Sequence, residues 1–244
     1  MKLLGKIQLG GVNLKNRLAM AAMTRGRTDS NGVVGDMTVT YYAQRAGAGL
    51  IFSEAIRISE EATGSPFTPG IFTDEQIAAW KKVTTAVHDQ GGVIIAQLWH
   101  TGRMGHSIDR NGKLPLAPSA LPILGMQHFT SQGRKDFEIP RQMTIADIRQ
   151  TILDYGQAAK NAIAAGFDGV TLHACNGYLP NQFLAESSNQ GIPKLISFGR
   201  LYIANPDLLE RFEKNGPLIE PDRATMYGGG RQGYIDYPMW NNQP

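Results

Sequence analysis

Residues Asp168–Phe183 read DGVTLHACNGYLPNQF, and the fold of the chain is decided by how this stretch is read. Val170–Leu172 is expected as a short buried strand that stops at His173. An irregular turn carrying Asn176, Gly177 and Tyr178 follows before Pro180. A strand that ends in a protonatable side chain and gives way to a Gly- and Pro-bearing loop is the usual anatomy of an α/β active site, because strands hold groups rigidly at their carboxyl ends. Imidazole and carboxamide can both donate to an oxygen, and a phenol can give up a proton. A core histidine beside a polar turn explains the spacing equally well.

The same strand-then-polar-turn pattern repeats on both sides. Leu18–Met23 (LAMAAM) and Gly49–Phe52 (GLIF) are apolar on both faces, ending at Thr24-Arg25 and at Ser53-Glu54-Ala55. Val93–Ala96 finishes in Gln97-Leu98-Trp99-His100, and Leu195–Phe198 in Gly199-Arg200. Helices are expected between them. One covers Thr38–Gly47. Thr73 and Gln76 suggest a capping box for a second, with Ile77, Trp80, Val83 and Val87 on one face and Gly91 as its stop. Thr144 opens a third along Ile145, Ile148, Ile152, Tyr155 and Ala159, closed at Gly166. The last runs from Asn205-Pro206 to Asn215-Gly216. Ile7–Leu14 alternates around Gly10-Gly11, as a β-hairpin does.

Doubly buried strands separated by helices predict a parallel sheet covered by helices, and polar residues after every strand predict the mouth of a (β/α) barrel. Residues 1–244 are expected as one partial barrel domain. Residues 100–143, rich in Gly, Pro and Ser, would be a loop or lid inserted in it. Residues 191–244 would carry the last β/α unit and a tail.

Hydrophobic residues at 42% against 18% charged allow a packed core and argue against general disorder. A net charge of +3 without a basic run interleaved with aromatics argues against nucleic acid as partner. The lone Cys175 excludes an intrachain disulfide, fits a reducing cytosol, and reads as a small buried residue. No signal peptide and no run of membrane-spanning length is visible, so a soluble, cytoplasmic protein is expected. His100, His106 and His173 match no standard zinc spacing, and no metal is expected. Gly199-Arg200 after a strand could receive a phosphate. The carboxamide of Gln97 matches the edge of a planar heterocycle, Thr24 could donate to the same ring, and Trp99 could wall a pocket. Taken singly, each is more readily a surface arginine, a strand cap or a packing residue.

Together these residues resemble the Old Yellow Enzyme family of FMN-dependent ene-reductases, most closely its N-ethylmaleimide reductase branch. The matching stretches are NRLAMAAMTR (Asn16–Arg25), GLIFSEA (Gly49–Ala55), IAQLWHTGR (Ile95–Arg103), AGFDGVTLHACNGYLPNQFL (Ala165–Leu184), LISFGRLYIANPDL (Leu195–Leu208) and YGGGRQGYIDYP (Tyr227–Pro238). The resemblance implies that Met23, Thr24, Ala55 and Gln97 hold the flavin ring and that Gly199 and Arg200 hold the FMN phosphate. It implies that His173 and Asn176 hold the carbonyl oxygen of an α,β-unsaturated substrate and that Tyr178 protonates its α carbon. NADPH or NADH would be the reductant, and Trp99 and Tyr234 would line the substrate side.

The family's barrels have eight strands, whereas five core strands are legible here. An internal deletion of about three β/α units after Gln190 is therefore expected, and it would remove a basic residue beside the flavin ring and half of the phosphate cradle. Ala22 stands where a proline is usual, and Lys194 where an acidic residue is common. The expected fold is an incomplete TIM-type barrel with an N-terminal hairpin, able to self-associate through its exposed strand edges.

Overall fold

A computed structural model describes residues 2–183, 196–198 and 200–240. Strands β1 (Ile7–Leu9) and β2 (Val12–Leu14) pair antiparallel across a glycine turn in which Gly10 has φ +56°. Next come β3 (Leu18–Met20), α1 (Asp36–Ala43), β4 (Leu50–Arg57), α2 (Asp74–Asp89) and β5 (Ile94–Trp99). The segment that reads as a loop carries four short strands: β6 (Leu116–Ala117), β7 (Gln127–Thr130), β8 (Gly133–Asp136) and β9 (Arg141–Gln142). The chain continues through α3 (Ile145–Ala164), β10 (Gly169–Leu172), α4 (Leu179–Phe183), β11 (Ile196–Phe198), α5 (Arg200–Ala204) and α6 (Leu208–Lys214).

One five-stranded sheet in the order β10-β5-β4-β3-β11, parallel throughout, organises the molecule. The last strand returns to lie beside the first of the sheet, as in a closing barrel. Among the described residues, however, β10 and β11 are free edges, so the sheet is an arc of an incomplete (β/α) barrel. The connection from β10 to β11 leads from one edge to the other. The expected junction at Gln190–Gly191 and the cradle residue Gly199 lie outside the described residues.

Burial follows the two faces of the arc. Outward-facing Ile51, Ile56, Ile94, Ala96 and Leu98 pack in one cluster with Tyr41 and Tyr42 of α1 and with Trp80, Val83 and Val87 of α2. Inward-facing Leu50, Phe52 and Ile95 meet Leu14 of the hairpin, which plugs the amino end. The capping box of α2 is formed: the Thr73 hydroxyl accepts the Gln76 N–H at 3.2 Å while Gln76 Oε1 accepts the Thr73 N–H at 3.2 Å.

Several sequence expectations need correction. β10 is an edge strand, and Val170 (39% exposed) and Leu172 (55%) are not buried, because no described strand pairs beyond that edge and α3 covers it only in part. On α3 the buried line is Thr151, Ala158 and Ala162, whose small side chains let the helix approach the sheet; Ile145 and Ile152 point outward. β3 stops at Met20, whereas β4 runs on through Ser53–Ala55 to Arg57. α6 begins at Leu208, since the Asn205 carboxamide instead donates to the carbonyls of Leu201 and Ile219 at 2.8 Å each. The 100–143 segment is tied down by Arg110, which donates to Glu61 and Thr63 carbonyls at 2.6 and 2.7 Å.

Candidate active site at the strand carboxyl ends

A bulge in β4 builds the first half of the site. Phe52 lies opposite Ile95 but Ala55 opposite Gln97, so β4 holds one residue more than β5 over this interval. On a regular strand Glu54 would share the inner face with Phe52; the extra residue gives that place to Ala55 and turns Glu54 into the protein. Ser53 stitches the irregularity, its Oγ accepting the Gln97 N–H at 3.1 Å and donating to the Glu54 carbonyl at 2.8 Å. The turn after β3 is attached here too, because the Arg25 N–H donates to Glu54 Oε2 at 3.1 Å. Thr24, Ala55 and Gln97 therefore sit at adjoining strand ends. The side chains of Thr24 and Gln97 are half-buried and have no hydrogen-bond partner among the described residues. Met23, beside them, packs partly against the main core.

The second half stands on β5 and β10. Thr171 pairs with Gln97, and the His173 N–H continues the ladder to the Leu98 carbonyl at 2.9 Å. Trp99 is buried, and its ring lies 5.0 Å from Tyr178 edge-on and 6.4 Å from His173; the His173 and Tyr178 rings are 4.6 Å apart. The turn between them is tight. Asn176 takes the left-handed conformation at φ +58°, which asparagine tolerates better than most residues, and Gly177 follows at φ +78°. Gln182 braces it by donating to the Gly177 carbonyl at 2.7 Å and the Thr101 carbonyl at 3.1 Å.

Burial sets the protonation states. Desolvation holds the His173 imidazole below its ordinary value, so the ring is neutral near pH 7. Desolvation, then the neighbouring Cys175, raises the Tyr178 phenol, which keeps its proton and has no hydrogen-bond partner among the described residues. Cys175 is exposed, contrary to expectation, with its Sγ 3.5 Å from His173 Nδ1.

Other expected residues are not brought to this mouth. Tyr234 is fully buried, stacked on Tyr41 at 4.4 Å with its hydroxyl bonded to Thr38, so it belongs to the core rather than to an open pocket. His100 is buried, its Nδ1 accepting the Gly102 N–H, and desolvation followed by the charge of Arg110 depresses it to about 3. Arg200 opens α5, but its side chain lies outside the described residues. The sequence reading also missed a clamp: buried Arg25 donates to the Met226 and Gly233 carbonyls, and Arg27 to those of Thr225, Gly230 and Gln232. The Arg-Gly-Arg run and the glycine-rich tail are visible in the sequence, but nothing local says that they meet.

Matches to known proteins place the chain. Residues 2–194 fit the model of the NADH:flavin oxidoreductase / NADH oxidase family, and the chain belongs to that family. A flavin oxidoreductase of Emericella nidulans is 47% identical over 188 residues, 75% of this chain and 48% of the relative. A probable flavin mononucleotide-dependent alkene reductase of Leishmania infantum is 40% identical over 194 residues, 77% of this chain and 53% of its own length. The chain thus spans about half the length of the curated relatives it matches. Morphinone reductase, solved with tetrahydroNAD, superposes with a TM-score of 0.92 at 32% identity, the match spanning 99% of this chain and 98% of the neighbour. The old yellow enzyme homologue of Zymomonas mobilis gives 0.89 at 31%, spanning 98% and 99%.

The family uses FMN with a nicotinamide reductant, and the residues present fit the ring end of that cofactor. Thr24 and Gln97 are uncommitted donors and acceptors at adjoining strand ends, with the small side chain of Ala55 between them. The phosphate end would rest on Gly199 and Arg200, beyond what the structure describes.

Proposed function

We propose that the chain is a flavin-dependent ene-reductase, which reduces the C=C bond of α,β-unsaturated carbonyl compounds with NADPH or NADH as electron source. The observation that carries this reading is the meeting of Trp99, His173 and Tyr178 beside Gln97 at the carboxyl ends of β5 and β10. When bound, FMN would supply the hydride that adds to the β carbon. Met23, Thr24, Ala55 and Gln97 would hold its ring, and Gly199 and Arg200 its phosphate. His173 and Asn176 would donate to the substrate oxygen and stabilise the charge that develops there. Neutral His173 has one N–H to give, which polarises the carbonyl without surrendering a proton to it. Tyr178, kept protonated by burial, would deliver its proton to the α carbon. Trp99 would wall the substrate side. The inserted 100–143 segment would act as a lid within a single domain.

Purified protein should be yellow, should release FMN on denaturation, and should oxidise NADPH in the presence of 2-cyclohexenone. Tyr178→Phe should lower alkene reduction by roughly 10²–10⁴-fold while leaving flavin reduction by NADPH near wild type. Colourless protein that FMN cannot reconstitute would sink the reading.

The free edge of β10 favours a second reading: a family member without flavin turnover that self-associates or binds a partner through that edge. Turnover by a monomer in sedimentation velocity would exclude it.

A further inference from the structure

Glu54 belongs to the corner of the site yet faces away from the mouth. It is 2% exposed, with its own N–H donating to the Tyr42 hydroxyl at 2.6 Å and its Oε2 accepting the Arg25 N–H at 3.1 Å. The Gly26 amide lies close enough to favour the charged carboxylate. The charged groups around it are the guanidiniums of Arg25 and Arg27, and the other titratable neighbours are the phenols of Tyr42, Tyr41 and Tyr234. Arg25 is itself engaged by the Tyr41 hydroxyl at 2.7 Å and by the tail carbonyls. A carboxylate in such a place is costly for the fold, and a hydrophobic residue would fill the volume more cheaply. What it offers, and an apolar side chain cannot, is an acceptor for a backbone amide of a turn that has no ladder of its own.

We propose that Glu54 is the positioning residue of the ring-binding corner: its carboxylate pins the Thr24–Gly26 turn to the bulge of β4, so that Thr24 is presented beside Ala55 and Gln97. The inference rests on the flavin reading of those three residues. The bulge and the tether act together. The extra residue in β4 frees Glu54 from the inner face, and the freed carboxylate then fixes the neighbouring turn.

Glu54→Ala and Glu54→Gln in the full chain test it, since glutamine keeps an acceptor oxygen at the same reach. In protein free of flavin, amide hydrogen exchange at Arg25 and Gly26 should rise about tenfold or more in Glu54→Ala and much less in Glu54→Gln, with β5 unchanged. Titration with FMN, followed by flavin fluorescence, should show affinity about tenfold weaker in Glu54→Ala and largely recovered in Glu54→Gln. Thr24→Ala should add little to the loss already caused by Glu54→Ala, because both remove the same contact. Unchanged exchange at the turn in Glu54→Ala, or additive losses with Thr24→Ala, would overturn the proposal. Should Glu54→Ala fail to fold, a folded Glu54→Gln with a quiet turn and strongly weakened FMN binding would overturn it as well. Wild-type protein that takes up no FMN, with a turn still loosened in Glu54→Ala, would instead sink the flavin reading and support the tether.

Discussion

The middle strands of the sheet and its β10 edge have similar apolar sequences and opposite surroundings. On β4 and β5 the outward residues Ile51, Ile94, Ala96 and Leu98 are wholly covered, in one cluster with α1, α2 and the small residues of α3. On β10 the outward residues Val170 and Leu172 are open, and the neighbouring Ile163 on α3 is exposed with them. A strand's hydrophobicity states what it can bury against; only the next β/α unit determines whether it does. The corner of the site formed by Thr24, Ala55 and Gln97 stands on the covered part, whereas His173, Asn176 and Tyr178 stand on the open edge. Rigidity should therefore differ across one active site.

The sharpest probe is a deletion on the covered side. Trp80→Ala removes a ring packed on Phe167 at 5.2 Å and an indole N–H bonded to the Gly70 carbonyl at 3.1 Å. It should cost about 3–5 kcal/mol in urea denaturation; a loss below about 1 kcal/mol would mean that the covered face is no better packed than the edge.

The second probe is pH. Burial pushes the Glu54 carboxyl from 4.5 up to about 7, against the opposing pull of the Arg25 amide and guanidinium. A carboxyl whose folded value lies above its unfolded one holds its proton more tightly in the folded state. Its contribution to stability is therefore complete below about 4.5 and is lost as pH rises through about 7. The interval corresponds to about 3 kcal/mol, and Glu54→Gln should flatten this part of the stability–pH curve. A wild-type curve already flat from pH 4.5 to 7 would contradict it.

Helix caps offer a closer match between the two regions. Thr73 caps α2 and Thr144 caps α3, both through complete capping boxes. Thr73→Ala should cost about 1 kcal/mol of global stability by thermal melting. Thr144→Ala should cost no more, because α3 rests on a flank that is less buried. A larger loss at Thr144 would reverse the ranking of the two regions.

The smallest effect is expected at the edge itself. Leu172→Lys should change folding stability by less than about 0.5 kcal/mol and should lower any self-association seen in sedimentation velocity. A loss of several kcal/mol would mean that the edge is covered after all.

Much of this could be read directly. The hairpin at Gly10-Gly11, the Thr73–Gln76 box, the Asn215 stop and the order of strands and helices are local signals, and the structure carries all of them. The mouth was partly legible, because Gln97 closes an apolar run, His173 directly follows another, and Tyr178 stands in the turn after it. Arg25 and His100 stand just past strands and Glu54 at the bulge within β4, yet all three turn away from the mouth. What separates the two sets is the bulge in β4 and the packing of the tail on Arg25 and Arg27, neither of which has a signature within a few residues.

The chain's own letters determined a parallel α/β arc, its capped helices and a set of polar strand ends. Those properties depend on periodicity, capping and turn chemistry, which act over a handful of neighbouring residues. Tertiary structure alone supplied the bulge that turns Ala55 rather than Glu54 to the mouth, and decided that Tyr234 is core and that Leu172 meets solvent. Each of these depends on what lies across the sheet or beyond its edge, at a sequence distance that no local pattern reaches.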